Sequence, residues 1–339
     1  VDQHRLEKVL GTGTVGPDYL ATDTTTGQQV APKTLHSDVS RDDIIRSRFR
    51  REISILQKLS HPNIVRCLGS GSHDDQLYFT MEVLAGRPLK KILTQQGRLS
   101  WQEAVECGWQ VCSALQHAHN IGIIHRDLKP ANLFIDKDGR LKLCDFGIAR
   151  DLTDTHLTDH GLTVGTYHYM SPEQIRGDSN LPAKTDLYAL GCLLFKMLTG
   201  SEPFTGTSLP QIFDQHLQLR PPHVKTISPD CPGQLDALVA QLLEKDPEKR
   251  PFNARAVQGV LAEVLMKWAE DEDAALAKKY RQPDMWAIDS RKPILGNLVR
   301  RQLAQEQPSI GWGTIASIAA LLFGLIALAW RLAEETPGP

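Results

Sequence analysis

Three glycines near the start of the chain have the spacing of a loop that could bind phosphate. Gly11, Gly13 and Gly16, in the stretch GTGTVGPDY, follow the pattern G-x-G-x-x-G. Glycine adopts backbone angles that are closed to other residues, so such a loop can bring backbone N–H groups close to a phosphate. A dinucleotide-binding fold uses the same spacing. This pattern alone therefore leaves the class of nucleotide site open.

A second set of chemically capable residues occurs at fixed intervals in the middle of the chain. The stretch IIHRDLKPANLFID is followed by LCDFG, and together they carry His125, Arg126, Asp127, Lys129, Asn132 and Asp145. Lys33 precedes them in VAPK, and the tripeptide SPE follows them. The order of glycine loop, lysine, H-R-D-x-K-x-x-N, D-F-G and S-P-E matches the protein-kinase signature. Over about residues 4 to 267 the sequence resembles the eukaryotic-type Ser/Thr protein kinases, most of all their bacterial branch.

This resemblance implies ATP as the phosphate donor and protein hydroxyl groups as acceptors. Asn132 and Asp145 match the residues that hold Mg²⁺ in the family, and hard oxygen ligands also suit Mn²⁺. Asp127 matches the residue that accepts or orients the substrate hydroxyl proton. Lys129 matches the lysine that reaches the γ-phosphate as a point charge.

The resemblance also assigns a nucleotide pocket in the first part of the chain. Lys33 is expected to hold the α- and β-phosphates, with Glu52 as the carboxylate that fixes its flexible stem. Alternatively, Glu52 is a solvated charge on a helix face, since Arg50 and Arg51 precede it. The remaining positions matched to the nucleotide site are Leu10, Asp18, Ala31, Met81, Glu82, Leu84 and Phe134.

A segment rich in threonine, from Asp145 to Glu173, resembles the activation segment of these kinases. Thr166, in GTYHY, matches the threonine that contacts the catalytic aspartate and lysine. Arg126 resembles the arginine that pairs with a phosphate on this segment, which indicates regulation by phosphorylation. We expect Thr158 as the first phosphorylation site and Thr163 as the next.

Three residues of the large lobe match scaffold positions of the family and not catalytic ones. They are Glu173, Asp186 and Arg250. The resemblance implies that Glu173 and Arg250 form a buried ion pair that holds the activation segment in place.

Three residues of the small lobe depart from the family pattern. Asp18 stands where the family has a valine above the nucleotide, and a carboxylate there lacks apolar contact and repels phosphates. Pro17 changes the strand that leaves the glycine loop, and Pro32 removes an N–H donor from an expected central strand. These departures predict weak ATP binding and an unstable small lobe.

Two functions therefore compete. The first is an active Ser/Thr kinase, and the second is a pseudokinase that serves as a membrane-anchored scaffold. A small-molecule phosphotransferase is disfavoured, because GTYHYMSPE resembles a peptide-docking segment.

The elements that must position these residues predict an α+β, two-lobed kinase fold. Short strand-like stretches and one helix, over residues 41 to 59, fill the first part of the chain. Ser100 and Glu103 form a capping box that opens a long helix, and Gly200 ends a later, buried one. The predicted domains are a small lobe (residues 4–86), a large lobe (87–267), a juxtamembrane linker (268–309), a transmembrane helix (310–330) and a short tail (331–339).

Composition and hydropathy restrict the partners. The 339 residues carry a net charge of -2 with no basic stripe, which argues against nucleic acid. Six cysteines without C-x-x-C spacing indicate reduced, buried thiols. Residues 310 to 330 contain no charge and are long enough to cross a bilayer, with Arg300 and Arg301 before them. The prediction is a single-pass protein of the cell membrane with a cytoplasmic kinase domain, which dimerises for phosphorylation in trans.

Overall fold

The computed structural model describes residues 4–12, 16–35, 43–146, 166–272 and 294–306. The chain divides into two units, Val1–Val299 and Arg300–Pro339. Both predicted kinase lobes belong to the first unit. Of the second unit, the structure describes only the end of one helix.

The small lobe is an antiparallel five-stranded sheet with one helix. Its strands run in the order β1-β2-β3-β5-β4. Phe49 and Ile53 lie one turn apart on the helix, and both are buried in a cluster with Leu35, Leu77 and Phe79. The predicted strands and helix are therefore confirmed. Their bounds are β1 His4–Thr12, β2 Pro17–Asp23, β3 Gln29–Thr34, α1 Asp43–Leu56, β4 Cys67–His73 and β5 Gln76–Glu82.

Pro32 lies in the central strand of this sheet, as predicted. It is opposite Thr80 of β5, and that pairing is continuous over five residues of β3. On the other side, β2 and β3 pair at Asp18 with Lys33 and again only at Ala21 with Val30. This interruption brackets Pro32, which has no N–H to donate.

The large lobe is helical around one apolar core. Ser100 and Glu103 form the predicted capping box in both directions at the start of α3. The helix α5 is buried along its length and ends at Gly200, whose φ of 84° is left-handed. The helices are α2 Leu89–Gln96, α3 Trp101–Asn120, α4 Pro172–Arg176, α5 Lys184–Thr199, α6 Leu209–Gln218, α7 Val224–Ile227, α8 Gly233–Leu242 and α9 Ala254–Glu272.

A small second sheet supports the loop between the lobes. It consists of β6 Gly86–Pro88, β7 Leu133–Asp136 and β8 Leu141–Leu143, in that order. Ile64 forms an isolated parallel bridge to Leu143, which joins this sheet to the segment before β4. Because β7 and β8 directly follow and precede the predicted catalytic residues, their pairing sets the distance between those residues.

All six cysteines lie in the described ranges and none forms a disulfide. Five are buried and Cys67 is partly exposed. Burial raises the pKa of the Cys67 and Cys144 thiols, so both remain protonated at neutral pH. The prediction of reduced thiols, most of them buried, is confirmed.

Part of the stretch predicted as a linker is helical. α9 continues to Glu272, and α10 spans Ile294–Glu306. Leu295, Leu298 and Val299 are buried in the large-lobe core, and the backbone N–H of Leu295 donates to Glu106 of α3 at 3.1 Å. In the described ranges no helix has the length and apolar character needed to cross a membrane. The predicted span, residues 310 to 330, lies outside those ranges.

Candidate active site

Lys33 is the buried cation of the cleft between the sheet and the large lobe. It lies on β3, opposite Asp18 on β2 and Phe79 on β5. Its Nζ is 2.8 Å from Oδ1 of Asp145 and 3.6 Å from Oδ1 of Asp18. One ammonium group therefore faces two carboxylates. The side chain of Glu52, the predicted partner, lies outside the described residues.

The three charges alter one another's pKa unequally. Burial alone would lower the pKa of Lys33, but Asp145 and then Asp18 raise it well above its ordinary value. Burial alone would raise the pKa of Asp145, but Lys33 holds it below its ordinary value. Burial raises the pKa of Asp18, and the attraction of Lys33 does not reverse this. Lys33 is thus matched mainly to Asp145, and Asp18 is the less stabilised anion.

Asp186 anchors the loop that carries the predicted catalytic residues. It is fully buried in the first turn of α5, where a carboxylate also suits the helix dipole. It accepts hydrogen bonds from the backbone N–H groups of His125 and Arg126, both at 2.8 Å, and from Nε2 of His119 at 2.7 Å. Burial opposes ionisation, but His119 and the other donors hold the pKa of Asp186 below its ordinary value. The scaffold role predicted for Asp186 agrees with this geometry.

His125 fixes the loop to the residue before Asp145. Its Nδ1 accepts the backbone N–H of Asp127 at 3.2 Å, so Nε2 carries the proton and donates to the carbonyl of Cys144 at 2.9 Å. The rings of His125 and Phe146 lie 4.7 Å apart. Arg126 and Asp145 both have positive φ, 63° and 55°, which is unusual for residues with side chains. Such backbone strain is common at functional sites, where the surrounding structure holds it in place.

Asp127, Lys129 and Asn132 form one hydrogen-bonded group. Lys129 Nζ lies 2.8 Å from Oδ2 of Asp127. The amide nitrogen of Asn132 donates to the same oxygen at 3.2 Å and to the Asp127 carbonyl at 2.9 Å. Oδ1 of Asp127 has no hydrogen-bond partner among the described residues. The predicted base, lysine and asparagine are thus brought together.

The residues predicted to hold a metal have oxygen atoms to offer it. The Asn132 nitrogen is used by Asp127, which leaves its amide oxygen, and Asp145 uses only Oδ1 for Lys33. The backbone N–H of Cys144 donates to the Asn132 carbonyl at 3.0 Å, so the two residues lie at adjacent ends of β7 and β8. The described ranges contain no group of three or more His, Cys, Asp or Glu that could hold a metal. Two oxygen ligands fit Mg²⁺, which keeps waters and binds substrate phosphates.

The predicted adenine positions line the junction of β3, β5 and β7. Ala31 is buried opposite Met81, whereas Leu10 on β1 is about half exposed. Phe134 lies on β7, opposite Pro88. A cavity of about 20 Å³ behind Met81 has room for one water molecule at most. Met81 therefore closes the inner end of this junction.

Glu82 is tied to elements on the outer side of the hinge. Its side chain accepts from Lys142 Nζ at 2.6 Å and from the Arg66 backbone N–H at 2.9 Å. Its own backbone N–H donates to the Arg66 carbonyl at 3.1 Å. This N–H is thus committed, and the carbonyl is the group that Glu82 can offer to an adenine edge.

The predicted pair of Glu173 and Arg250 is buried and bidentate. The two hydrogen bonds measure 2.7 and 2.9 Å, and both residues are about 3% exposed. Thr185 also donates to Glu173 at 2.8 Å. Burial opposes ionisation of Glu173, but Arg250 holds its pKa below the ordinary value. The prediction of a buried ion pair is confirmed.

Two contributors to the site were missed in the sequence. The side chain of Gln174 donates to the Arg126 carbonyl at 2.9 Å, and His119 donates to Asp186. Neither residue belongs to a motif, although Gln174 follows directly after SPE and His119 ends α3.

The residues predicted to be regulatory are only partly described. Thr158 and Thr163 lie outside the described ranges, as does Gly13 of the glycine loop. Thr166 begins a short 3₁₀ turn, Thr166–Tyr169, but its side chain is not described. Their predicted roles therefore stay predictions.

Comparisons with known proteins agree with this geometry. A family model described as the protein kinase domain matches residues 4–261. A probable Ser/Thr protein kinase PknB of Lactococcus lactis is 40% identical over 250 residues, which cover 74% of this chain and 40% of that protein. The Ser/Thr protein kinase PrkC of Bacillus subtilis is 38% identical over 293 residues, covering 86% of this chain and 44% of PrkC. This chain therefore spans about two fifths of the length of these relatives.

Solved structures give the same result for the fold. The kinase domain of PknI from Mycobacterium tuberculosis has a TM-score of 0.62 and 26% identity, covering 77% of this chain and 95% of that domain. The chain thus belongs to the protein kinase family, in its bacterial Ser/Thr branch. Membership implies the two-lobed α+β fold and ATP with a divalent metal ion. The alternative of a dinucleotide-binding fold is excluded.

Proposed function

We propose that this chain is a Ser/Thr protein kinase that transfers the γ-phosphoryl group of ATP to protein hydroxyl groups. The position of the Asp127 carboxylate carries the proposal. Lys129 and Asn132 hold its Oδ2 at 2.8 and 3.2 Å, while Oδ1 keeps its capacity to accept a proton. A carboxylate fixed at one oxygen presents the other in a defined direction, which suits a residue that orients a substrate hydroxyl.

In the proposed reaction, the substrate hydroxyl oxygen attacks the γ-phosphorus as the bond to the ADP oxygen breaks. The hydroxyl proton passes to Asp127, and Lys129 balances charge on the transferred group. Thr166 would contact this pair. Asn132 and Asp145 would hold Mg²⁺, or Mn²⁺ in its place, through their remaining oxygens. The metal would neutralise the phosphates.

The small lobe would bind the rest of the nucleotide. Lys33 would pair with the α- and β-phosphates, and the backbone of Gly11, Gly13 and Gly16 would cover them. Glu52 would hold Lys33 once the phosphates draw it away from Asp145. The adenine would lie among Leu10, Ala31, Met81, Glu82, Leu84 and Phe134.

Regulation would act through the activation segment. A phosphate on Thr158, or next on Thr163, would pair with Arg126 and order the segment. Two copies of the chain would phosphorylate each other in trans.

We further propose that the kinase domain is anchored in the cell membrane and faces the cytoplasm. Residues 310 to 330 supply 21 positions without a charge, and Arg300 and Arg301 precede them. Lobe boundaries at residues 4–86 and 87–267 and a connecting segment over 268–309 complete the proposed organisation.

The test compares phosphate transfer by the purified full chain with that of Asp127→Asn, using labelled ATP and Mg²⁺. Asn keeps the shape and the acceptor for Asn132 but cannot take the proton, so transfer should fall at least about 100-fold while ATP binding persists. Asp138→Asn, in the exposed turn between β7 and β8, removes a carboxylate outside the site and should transfer normally.

Undiminished transfer by Asp127→Asn would remove Asp127 from the mechanism. If the unmodified chain binds ATP but transfers nothing to itself or to a generic protein substrate, it acts instead as a membrane-anchored pseudokinase scaffold.

A further inference from the structure

Asp18 places a carboxylate in the part of the cleft where phosphate charge is expected. It lies two residues after Gly16 of the glycine loop and pairs in register with Lys33 on the next strand. Its Oδ1 is 3.6 Å from Lys33 Nζ, the same nitrogen that Asp145 contacts at 2.8 Å. The cluster of two carboxylates and one ammonium therefore carries one net negative charge before any nucleotide binds.

The Asp18 carboxylate depends on Lys33 as its only nearby cation. Oδ1 is shielded from solvent, and no hydrogen-bond donor reaches it, since 3.6 Å is beyond hydrogen-bond distance. A phosphate that takes Lys33 must displace this contact. It then leaves Asp18 facing another anion in a poorly hydrated place.

Building on the proposed kinase function, we propose that Asp18 is a specificity-determining residue that competes with nucleotide phosphates for Lys33. Asp18 weakens ligands in proportion to the phosphate charge near Lys33 and leaves the nucleoside part nearly unaffected. ATP and ADP are penalised, and adenosine is not.

A second explanation of weak binding makes a different prediction. If Asp18 only lacks the apolar contact that valine gives to the nucleotide, restoring affinity requires an apolar side chain, and adenosine gains as much as ADP. Removing the charge while keeping the shape separates the two explanations. Asp18→Asn does this, and Asp18→Val changes both charge and contact.

The experiment measures binding of adenosine, ADP and ATP to the full chain by calorimetry, with Mg²⁺ present throughout. Four proteins are compared: the unmodified chain, Asp18→Asn, Asp18→Val and Asp75→Asn. Asp75 is an exposed residue of the turn between β4 and β5, so its variant loses the same charge in the same lobe but outside the cleft. Melting temperatures verify that each variant is folded.

We expect Asp18→Asn to tighten ADP and ATP binding about tenfold, and adenosine binding by less than about twofold. The gain should shrink as salt is added, because it comes from charge. Asp18→Val should tighten adenosine binding as well. Asp75→Asn should resemble the unmodified chain.

Unchanged ADP affinity in Asp18→Asn, or an equal gain for adenosine and ADP, would overturn the inference. Binding is read without phosphate transfer, so these outcomes do not depend on catalysis. Absence of ADP binding in all four proteins would instead contradict the proposed kinase function.

Discussion

On the large-lobe side of the cleft, Asp186 and Glu173 each have their own donors, whereas on the small-lobe side Asp18 and Asp145 share one lysine. Asp186 accepts three hydrogen bonds and Glu173 a bidentate pair from Arg250. Asp18, by contrast, has an oxygen that is shielded from water and accepts no hydrogen bond. The large lobe is therefore organised before nucleotide binds, and the small lobe is where affinity remains adjustable.

The comparison can be broken most severely at Arg250. Arg250→Ala leaves Glu173 charged and buried, and it also removes donors to the carbonyls of Lys184, Glu244 and Lys245. Breaking a buried ion pair from one side typically costs about 3–5 kcal/mol. Urea unfolding should show a loss of this size. The exposed Arg255, changed to Ala, should cost less than about 0.5 kcal/mol.

Equal losses in the two arginine variants would mean that the large-lobe pair does not stabilise the fold. The contrast between the two sides of the cleft would then fail.

Acidification sharpens the same comparison. The folded pKa of Glu173 lies below its ordinary value of 4.5, because Arg250 outweighs the effect of burial. The ionised carboxylate therefore contributes stability that is complete above pH 4.5 and is lost as the pH falls through the lower, folded pKa. Glu173→Gln should be less stable than the unmodified chain at pH 7, and this difference should narrow below pH 4.5.

Unfolding by urea at pH 7 and at pH 4 gives the two differences. Other carboxylates titrate in both proteins and cancel in the comparison. A difference that stays constant between the two pH values would show that the charge of Glu173 is not what Arg250 stabilises.

The catalytic residues could be predicted because their order along the chain is itself a signature. Asp127, Lys129 and Asn132 lie within six residues, so one loop brings them together whatever the distant packing is. The capping box at Ser100 and the end of α5 at Gly200 are local in the same way. Local spacing therefore carried the fold and most of the site.

What could not be predicted depends on pairing between distant segments. The contact of Asp18 with Lys33 follows from the register of β2 and β3, which the sequence does not state. The donors His119 and Gln174 approach the loop only after α3 and α4 have packed. The helix α10 was taken for linker because its flanks are charged, and its buried residues have a partner only in the folded large lobe.

The smallest expected effect concerns Pro32 on the small-lobe side. The pairing of β2 and β3 is interrupted beside it, so restoring an N–H should add about one ladder hydrogen bond, roughly 1 kcal/mol. For a domain of this size, that raises the melting temperature by about 2–4 °C. Pro32→Ile should show this rise, since Ile also favours strands, and Pro32→Ala should show a smaller one because it restores only the donor. Phosphate transfer at saturating ATP should change little in either variant, because Pro32 does not contact the catalytic loop. If both variants melt at or below the temperature of the unmodified chain, the proline is compatible with the central strand, and the weakness of the small lobe rests on Asp18 alone.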